Sequence, residues 1–235
     1  PACTWPPLMQ IKYPHRPSGK HVTLKAGSSV CCPPPEPMLP THIDAAHDWL
    51  LTRLAHPLAE RPGDVPHRQP NLTRPAAVLI PLVWRPESPG IVLTRRESGL
   101  RHHAGQISFR GGKLEPDDPS PRAAALREAH EEIGLAPQQV QVVGELPEYV
   151  TVTGFLVTPV VGLIAPPLDL RPQAGEVAEI FELPLSLALD AGNYVRHDYE
   201  QDGRRGQYLS LTHQERFIWG ATAAMLRLLQ AALSR

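Results

Sequence analysis

The stretch at residues 111–135, which reads GGKLEPDDPSPRAAALREAHEEIGL, constrains the fold of this 235-residue chain more than any other. Ser120 and Pro121 predict the start of a helix, because serine caps helix N-termini and proline fits the first helical position. Gly134 predicts the end of that helix, since glycine adopts the left-handed conformation that closes many helices. The second half of the stretch is therefore expected to be one well-delimited helix.

Three glutamates of this helix are expected to share a face. At about 100° per residue, Glu128, Glu131 and Glu132 lie at positions i, i+3 and i+4. Apolar residues fall roughly 140° away and predict a buried stripe on the other side: Leu126, Ala129 and Ile133. We expect one face to pack into a core and the other to present three carboxylates to a common point.

A solvated acidic face is the alternative interpretation of these glutamates. Such faces usually mix positive and negative residues, because like charges four residues apart repel by a few tenths of a kcal/mol. Clustered carboxylates instead suit Mg²⁺ or Mn²⁺, which bind a few carboxylates and share their other sites with water and phosphate. The pair Gly111-Gly112 would also let the backbone approach a ligand closely. The sequence therefore favours a metal site at Glu128, Glu131 and Glu132.

The same helix resembles the Nudix box, the signature of hydrolases that cleave nucleoside diphosphates linked to another group. The matching residues are Gly112 and then Arg127-Glu128-Ala129-x-Glu131-Glu132-x-Gly134-Leu135. The usual box has thirteen residues between its glycine and its arginine, whereas this chain has fourteen, and Asp118 best matches the first acidic position. The resemblance implies that the three glutamates hold metal ions and that Arg127 orients a glutamate through a salt bridge.

A second motif, just upstream, is similar to the segment that marks the coenzyme A pyrophosphatase branch of this family. It consists of Leu93-Thr94-Arg95-Arg96-Glu97, Arg101, Gly105 and Phe109-Arg110-Gly111-Gly112. The branch pattern ends in Phe-Pro-Gly-Gly, so Arg110 stands in the place of a proline and is expected to add a cation near the phosphates. Glu97 stands where a small residue is usual. Residues 151–155 and 217–223 also resemble stretches of this branch.

Basic residues are concentrated in the loop before the helix: Arg95, Arg96, Arg101, Arg110 and Lys113. A solvated loop is the alternative, but arginine binds phosphate through a bidentate fork, and a polyphosphate ester needs cations away from its metals. We expect Arg95, Arg96 and Arg101 to bind substrate, together with Gly111 and Gly112. His102 and His103 are more typical of surface residues. Glu176 is interpreted as a surface carboxylate, with a late metal ligand or base as the alternative.

Strand and helix signals continue on both sides of this region. Apolar patterns and turn residues predict strands at residues 76–83, 91–94, 140–146, 155–164, 177–183, 194–199 and 207–211. Helical spacing predicts a helix from Ile43 to Leu54, with a capping box at Thr41-x-x-Asp44, a short helix at 184–189 and a last helix at 214–233. This pattern favours an α/β fold, and the resemblance implies the Nudix-type α/β/α sandwich around a mixed β-sheet.

The first 37 residues differ in composition from the rest of the chain. They are rich in proline, serine, glycine and lysine and cannot bury enough apolar area to offset the entropy of ordering them. We expect residues 1–37 to be a disordered or non-native extension, with Met38 as a candidate start and a cysteine-proline partner or metal tail as the alternative. Residues 38–75 are expected to be a helix and a proline-rich linker, and residues 76–235 the Nudix hydrolase domain.

Composition restricts the partners of the chain. A formal net charge of −1 gives no electrostatic footprint for nucleic acid. No apolar run approaches the length of a membrane span, and no signal-peptide pattern is present. The three cysteines lie at positions 3, 31 and 32, which argues against a disulfide framework and suits a reducing cytoplasm. We expect a cytoplasmic enzyme with a small-molecule substrate, without nucleic-acid or membrane partners, and leave a homodimer open.

The resemblance implies a specific reaction. It is the Mg²⁺- or Mn²⁺-dependent hydrolysis of the pyrophosphate bond of coenzyme A to adenosine 3′,5′-bisphosphate and 4′-phosphopantetheine, with acyl-coenzyme A as a further candidate substrate. The catalytic residues would be Arg127, Glu128, Glu131 and Glu132. Two alternatives stay open: a Nudix hydrolase acting on ADP-ribose or a dinucleotide, and a Nudix-like binding domain that has lost turnover.

Overall fold

The strand β1 (Arg74–Val83) is apolar on both of its faces. Successive side chains of a strand point to opposite faces, and here one set joins one core cluster and the other set a second: Ala77, Leu79 and Val83, against Ala76, Ile80 and Leu82. Because both faces are covered, the sheet around β1 is a middle layer. This computed structural model describes residues 39–56, 58, 73–100, 103–201 and 204–234.

Within those ranges, eight strands form a mixed sheet. In addition to β1 they are β2 (Gly90–Arg96), β3 (Ile107–Ser108), β4 (Arg110–Lys113), β5 (Val140–Glu145), β6 (Tyr149–Val150), β7 (Phe155–Ile164) and β8 (Val177–Pro184). The central order is β3-β2-β1-β7-β5, while β4 pairs with β1, β6 with β7 and β8 with β2. β1 and β7 are parallel and the other pairs are antiparallel, so the predicted mixed sheet is confirmed.

Helices cover both faces of this sheet. The helix α2 (Pro121–Ile133) packs on one face, and α1 (Ile43–Leu54) and α4 (Gly220–Leu233) contribute to the core cluster on the other. A short helix, α3 (Leu185–Leu189), follows β8. The α/β/α sandwich predicted from the sequence is therefore confirmed. In the part of the chain that the structure describes, no helix is long and apolar enough to cross a membrane.

A smaller antiparallel sheet lies beside the main one. Its strands are β9 (Tyr194–Gln201), β10 (Arg204–His213) and β11 (Arg216–Trp219), in the order β11-β10-β9. The predicted pairing of residues 194–199 with residues 207–211 is confirmed. β11 contacts β3, which links this sheet to the segment that leads into the glycine pair.

One predicted helix start and one predicted helix cap were wrong. The last helix was expected from residue 214, but β11 comes first and α4 begins at Gly220, whose φ of 61° is incompatible with a continuous helix. Phe217 therefore lies in a strand, where aromatic residues are common. Its side chain is 47% exposed. α1 begins after His42, which makes no side-chain cap hydrogen bond, so the capping box at Thr41 does not form.

Several predictions fall on residues outside the described ranges. They are the extension at residues 1–37, most of the proline-rich linker, and the loop residues Arg101 and His102. These remain predictions, because the structure does not describe those residues.

Candidate functional site

The helix α2 begins and ends where the sequence predicts. Ser120 Oγ accepts a hydrogen bond from the backbone N of Ala123 at 3.3 Å, and Pro121 takes the first helical position. Gly134 closes the helix with φ 71° and ψ 12°. The apolar stripe, which includes Ala129, is buried against the sheet. These contacts fix the rotation of the helix and hence the direction of its glutamates.

In the structure, the three glutamates do not point to one place. The exposed fraction of the side chain is 18% for Glu128, 55% for Glu131 and 10% for Glu132. Glu128 and Glu131 accept hydrogen bonds from Nη1 of Arg127 at 3.1 and 3.3 Å. Glu132 instead points inward, to Arg110. Arg127 thus contacts Glu128 and Glu131, while Arg110 contacts Glu132. Among the described residues, no group of three or more His, Cys, Asp or Glu side chains could hold a metal ion as arranged.

Arg127 is the centre of an acidic network. Its Nε and Nη2 donate to the two carboxylate oxygens of Asp118 at 3.2 and 2.9 Å. These hydrogen bonds hold the pKa of Asp118 below its usual range, and they raise the pKa of Arg127. Arg127 also lies four residues before Glu131, so the acidic face contains an interleaved cation. The structure therefore gives Asp118, whose role the sequence left open, a position as the partner of Arg127.

The glycine pair lies in the strand β4 and brings that strand close to its neighbours. Gly111 is opposite Val78 of β1, and Gly112 is opposite Ala77. A Cβ on Gly111 would overlap the carbonyl oxygen of Ala77, and a Cβ on Gly112 would overlap the carboxylate of Glu128. Glycine is needed here because strand and glutamate approach too closely for any side chain.

Burial perturbs the two inner carboxylates of α2. Burial raises the pKa of Glu128, and it raises the pKa of Glu132 to about 7. For Glu132, Arg110 opposes this rise, while Glu128 and Glu176 add to it because neighbouring negative charges disfavour ionisation. Glu176 is half-buried and lies close enough to Glu132 for the two negative charges to interact. The loop before β8 packs on the end of α2, where the backbone N–H groups of Arg171 and Gln173 donate to the carbonyls of Ile133 and Glu132. Glu176 is therefore not the exposed surface carboxylate that the sequence predicted.

Arg110 is directed into the protein and not toward solvent. It is only 3% exposed, and its Nη1 lies 3.2 Å from Oε2 of Glu132. Its Nη2 donates to the hydroxyl of Ser108. Burial lowers the pKa of the guanidinium, and Glu132 opposes that effect. The cation that the sequence suggested for the phosphates instead contacts a glutamate of the Nudix box.

Two other arginines of the motif, Arg95 and Arg96, contact different parts of the molecule. Nε of Arg95 is 3.3 Å from Oε2 of Glu179, and Nε of Arg216 donates to Oε1 of the same carboxylate at 3.1 Å. Arg96 lies near enough to Arg110 for the two charges to repel, and its Nε is buried without a hydrogen-bond partner in the described part of the chain. Sequence reasoning missed Arg216, because only the position of β11 beside the main sheet brings it to Glu179.

The carboxylates beside α2 suit a hard divalent cation by their chemistry, although the described side chains do not converge on one point in the structure. Oε2 of Glu132 is buried and, within the described ranges, makes no hydrogen bond, which is costly for a carboxylate oxygen. Glu128 and Glu176 lie close enough to affect it. A set made of carboxylate oxygens suits Mg²⁺ or Mn²⁺ better than softer metals.

Comparison with known families identifies the class. The sequence profile described as the NUDIX domain matches residues 73–196, more than half of the chain. The chain therefore belongs to the Nudix family, and its fold is that of a Nudix hydrolase.

Individual relatives carry the comparison further. The chain is 48% identical over 154 residues to the Nudix hydrolase NudL of Cronobacter sakazakii, described as uncharacterized, which covers 66% of this chain and 80% of the relative. It is 46% identical over 161 residues to NudL of Shigella flexneri, also described as uncharacterized, covering 68% and 83%. Among solved structures it is similar to the Nudix hydrolase RenU of M. smegmatis, with a TM-score of 0.42, 26% identity, and coverage of 48% of this chain and 71% of that one.

Proposed function

We propose that this chain hydrolyses the pyrophosphate bond of coenzyme A to adenosine 3′,5′-bisphosphate and 4′-phosphopantetheine. The observation that carries the proposal is the meeting of the two motifs at Glu132. Arg96, at the end of β2, lies near Arg110 at the start of β4, and Arg110 contacts Glu132 of α2. The segment that resembles coenzyme A pyrophosphatases therefore adjoins the glutamates of the Nudix box.

We assign the metal ligands to Glu128, Glu131 and Glu132, with Glu176 as an additional candidate. When bound, Mg²⁺ or Mn²⁺ would polarise the pyrophosphate and lower the pKa of a water molecule. Oε2 of Glu132 makes no hydrogen bond to the described residues, and Glu128 is held against Gly112. Glu131 is the most exposed of the three, and it would exchange its contact with Arg127 for a contact with the metal ion.

Arg127 has the task of orienting the glutamates of this site. Asp118 holds two of its nitrogens, and the third lies between Glu128 and Glu131. The guanidinium is planar, so a fork held on one side fixes the direction of the other side. Arg127 thereby holds both carboxylates in a defined direction, as metal ligands or as a base that takes a proton from water.

The basic residues outside α2 are proposed to bind the phosphates of the substrate. Arg95 and Arg216 share one carboxylate, Glu179, so this group of three keeps a net positive charge. All three side chains are partly exposed and can reach a ligand. Together with Arg101 from the sequence motif, they are candidates for reading the 3′-phosphate that distinguishes coenzyme A from ADP-ribose.

Product identification tests the proposal. The full chain is incubated with coenzyme A and Mg²⁺ or Mn²⁺. The products are then separated by chromatography and identified by mass spectrometry. We expect equal amounts of the two products, a requirement for metal, and a fall of about 10²-fold or more in kcat for Glu131→Gln. Arg85→Met, which removes an arginine paired with Glu182 away from α2, is the control and should keep turnover.

Other outcomes would redirect the assignment. Metal-dependent cleavage of ADP-ribose or a dinucleotide without cleavage of coenzyme A would refute the substrate and keep the chain among active Nudix hydrolases. Binding of these nucleotides without turnover of any of them would indicate a binding domain.

A further inference from the structure

Four buried side-chain polar atoms of the described residues lack a hydrogen-bond partner, and they belong to three residues in one place. They are Nε of Arg96, Nε and Nη1 of Arg110, and Oε2 of Glu132. Arg110 interacts with both of the other residues. Buried polar groups are nearly always paired, so a concentration of unpaired ones marks strain, an ion or a functional contact.

Arg110 and Glu132 are close together without a well-formed hydrogen bond. Nη1 and Oε2 are 3.2 Å apart, yet neither atom makes a hydrogen bond of acceptable geometry. The guanidinium is anchored from another side, by Nη2 on the hydroxyl of Ser108. A buried ion pair with imperfect geometry recovers little of the cost of removing both charges from water. The pair as a whole therefore contributes little net stability, whereas loss of Arg110 alone would leave the buried carboxylate of Glu132 uncompensated.

The charges around this pair are unbalanced without Arg110. Glu132 faces two other carboxylates, Glu128 and Glu176. Arg110 is the only cation in ion-pair contact with Glu132 in the part of the chain that the structure describes. It is buried behind the glutamate and held there by Ser108. Arg110 thus neutralises the same carboxylate that a divalent cation would neutralise.

We propose that Arg110 is a built-in counter-ion that competes with the divalent metal for Glu132, and so weakens metal binding while stabilising the metal-free fold. The inference rests on the proposed function, which puts a metal at Glu132. A metal ion on Glu132 and the guanidinium beside it repel each other, and low solvent exposure leaves that repulsion poorly screened. Arg110 is a positioning residue in this account, since it acts on the metal through the glutamate.

Metal binding measured by calorimetry, with Mn²⁺ alone as the probe, tests this inference. We expect Arg110→Met to bind Mn²⁺ about tenfold or more tightly than the wild-type protein, because the competing charge is gone. The same variant should melt at a lower temperature in EDTA and gain more from Mn²⁺, since ligand stabilisation grows with affinity. Arg110→Pro, which introduces the residue of the branch pattern, should behave in the same way, and Arg110→Lys should stay near wild type.

Two further variants separate the explanations. Arg85→Met removes an arginine that makes two hydrogen bonds to Glu182, and it should leave Mn²⁺ affinity unchanged. Glu132→Gln should weaken Mn²⁺ binding if the metal site is as proposed. Unchanged affinity in Glu132→Gln would refute the metal site and this inference with it. Weakened affinity there, combined with equal or weaker binding in Arg110→Met and Arg110→Pro, would refute the inference alone.

Discussion

Arg127 donates two hydrogen bonds to Asp118, from Nε to one carboxylate oxygen at 3.2 Å and from Nη2 to the other at 2.9 Å. The remaining nitrogen, Nη1, lies within hydrogen-bond distance of both Glu128 and Glu131. Bidentate pairing fixes the plane of a guanidinium as well as its position. Asp118 therefore determines where Arg127 holds the two glutamates. In the part of the chain that the structure describes, Asp118 makes no hydrogen bond to either glutamate.

Replacing Asp118 by Asn should lower both stability and turnover. Asparagine keeps the shape of the side chain but loses the charge-assisted hydrogen bonds, which contribute about 1.5–3 kcal/mol. We expect the melting temperature to fall by roughly 3–12 °C and kcat to fall with it, because Arg127 loses its anchor. Thermal unfolding and initial rates measure the two effects. A variant with wild-type melting temperature and rate would show that Arg127 needs no anchor.

The same pair predicts a pH dependence of stability. The pKa of Asp118 is lowered in the folded protein by its hydrogen bonds to Arg127. The stabilisation is therefore fully present above the unfolded pKa, about 3.9, and is lost as the pH falls through the lower folded value. Unfolding free energies of the wild type and Asp118→Asn should differ at pH 6 and converge in strong acid. A difference that stays constant down to pH 2 would contradict this assignment.

Adding a methyl group at Gly112 should damage the site without unfolding the protein. A Cβ there would overlap the carboxylate of Glu128, so the glutamate must turn away. We expect Gly112→Ala to lower kcat by about tenfold or more, since small misplacements of catalytic groups have large effects. Gly99→Ala is the matched control, because its Cβ would meet open space. Equal turnover in the two variants would mean that the position of Glu128 is unimportant.

Glu131→Gln and Glu132→Gln should separate catalysis from stability. Both should lower kcat by about 10²-fold or more if both glutamates bind metal. Glu131 is 55% exposed, so its variant should melt close to wild type. Glu132→Gln leaves Arg110 buried without its counter-ion, and removing one partner of a buried pair costs about 3–5 kcal/mol. Equal melting temperatures of the two variants in EDTA would contradict the buried pair.

Arg216→Ala should affect coenzyme A more than dephospho-coenzyme A. If Arg216 and Arg95 read the 3′-phosphate, each lost charge-assisted contact costs about 1.5–3 kcal/mol with the phosphorylated substrate only. The ratio of kcat/KM for the two substrates should therefore shrink by roughly ten- to a hundred-fold. Arg205→Ala, which removes an exposed arginine of β10, serves as the control. A ratio unchanged in Arg216→Ala and Arg95→Ala would leave Arg101 as the reader of that phosphate.

Local signals in the sequence were sufficient to predict α2. Ser120, Pro121 and Gly134 act on backbone groups within a few residues of themselves, so the chain alone reveals their effect. The start of α4 was mispredicted, because the run before Gly220 fits a helical stripe and a strand equally well. Only pairing with β10 decides in favour of the strand.

The sequence predicts which glutamates form the candidate site, but it does not predict where their side chains point. The helix period places Glu128, Glu131 and Glu132 on one side of α2, but it carries no information on what packs there. Arg110 and Glu176 reach Glu132 from β4 and from the loop before β8, and such contacts between distant segments depend on the sheet register. The division of the glutamates between two arginines could therefore be learned only from the structure.

A competition between coenzyme A, dephospho-coenzyme A and ADP-ribose tests the central claim most directly. The three compounds are mixed at equal concentration with the full chain and Mn²⁺, and their depletion is followed by chromatography, which gives the ratios of kcat/KM. We predict that coenzyme A disappears first, about ten- to a hundred-fold faster than dephospho-coenzyme A and also ahead of ADP-ribose. Faster cleavage of ADP-ribose than of coenzyme A would contradict the account.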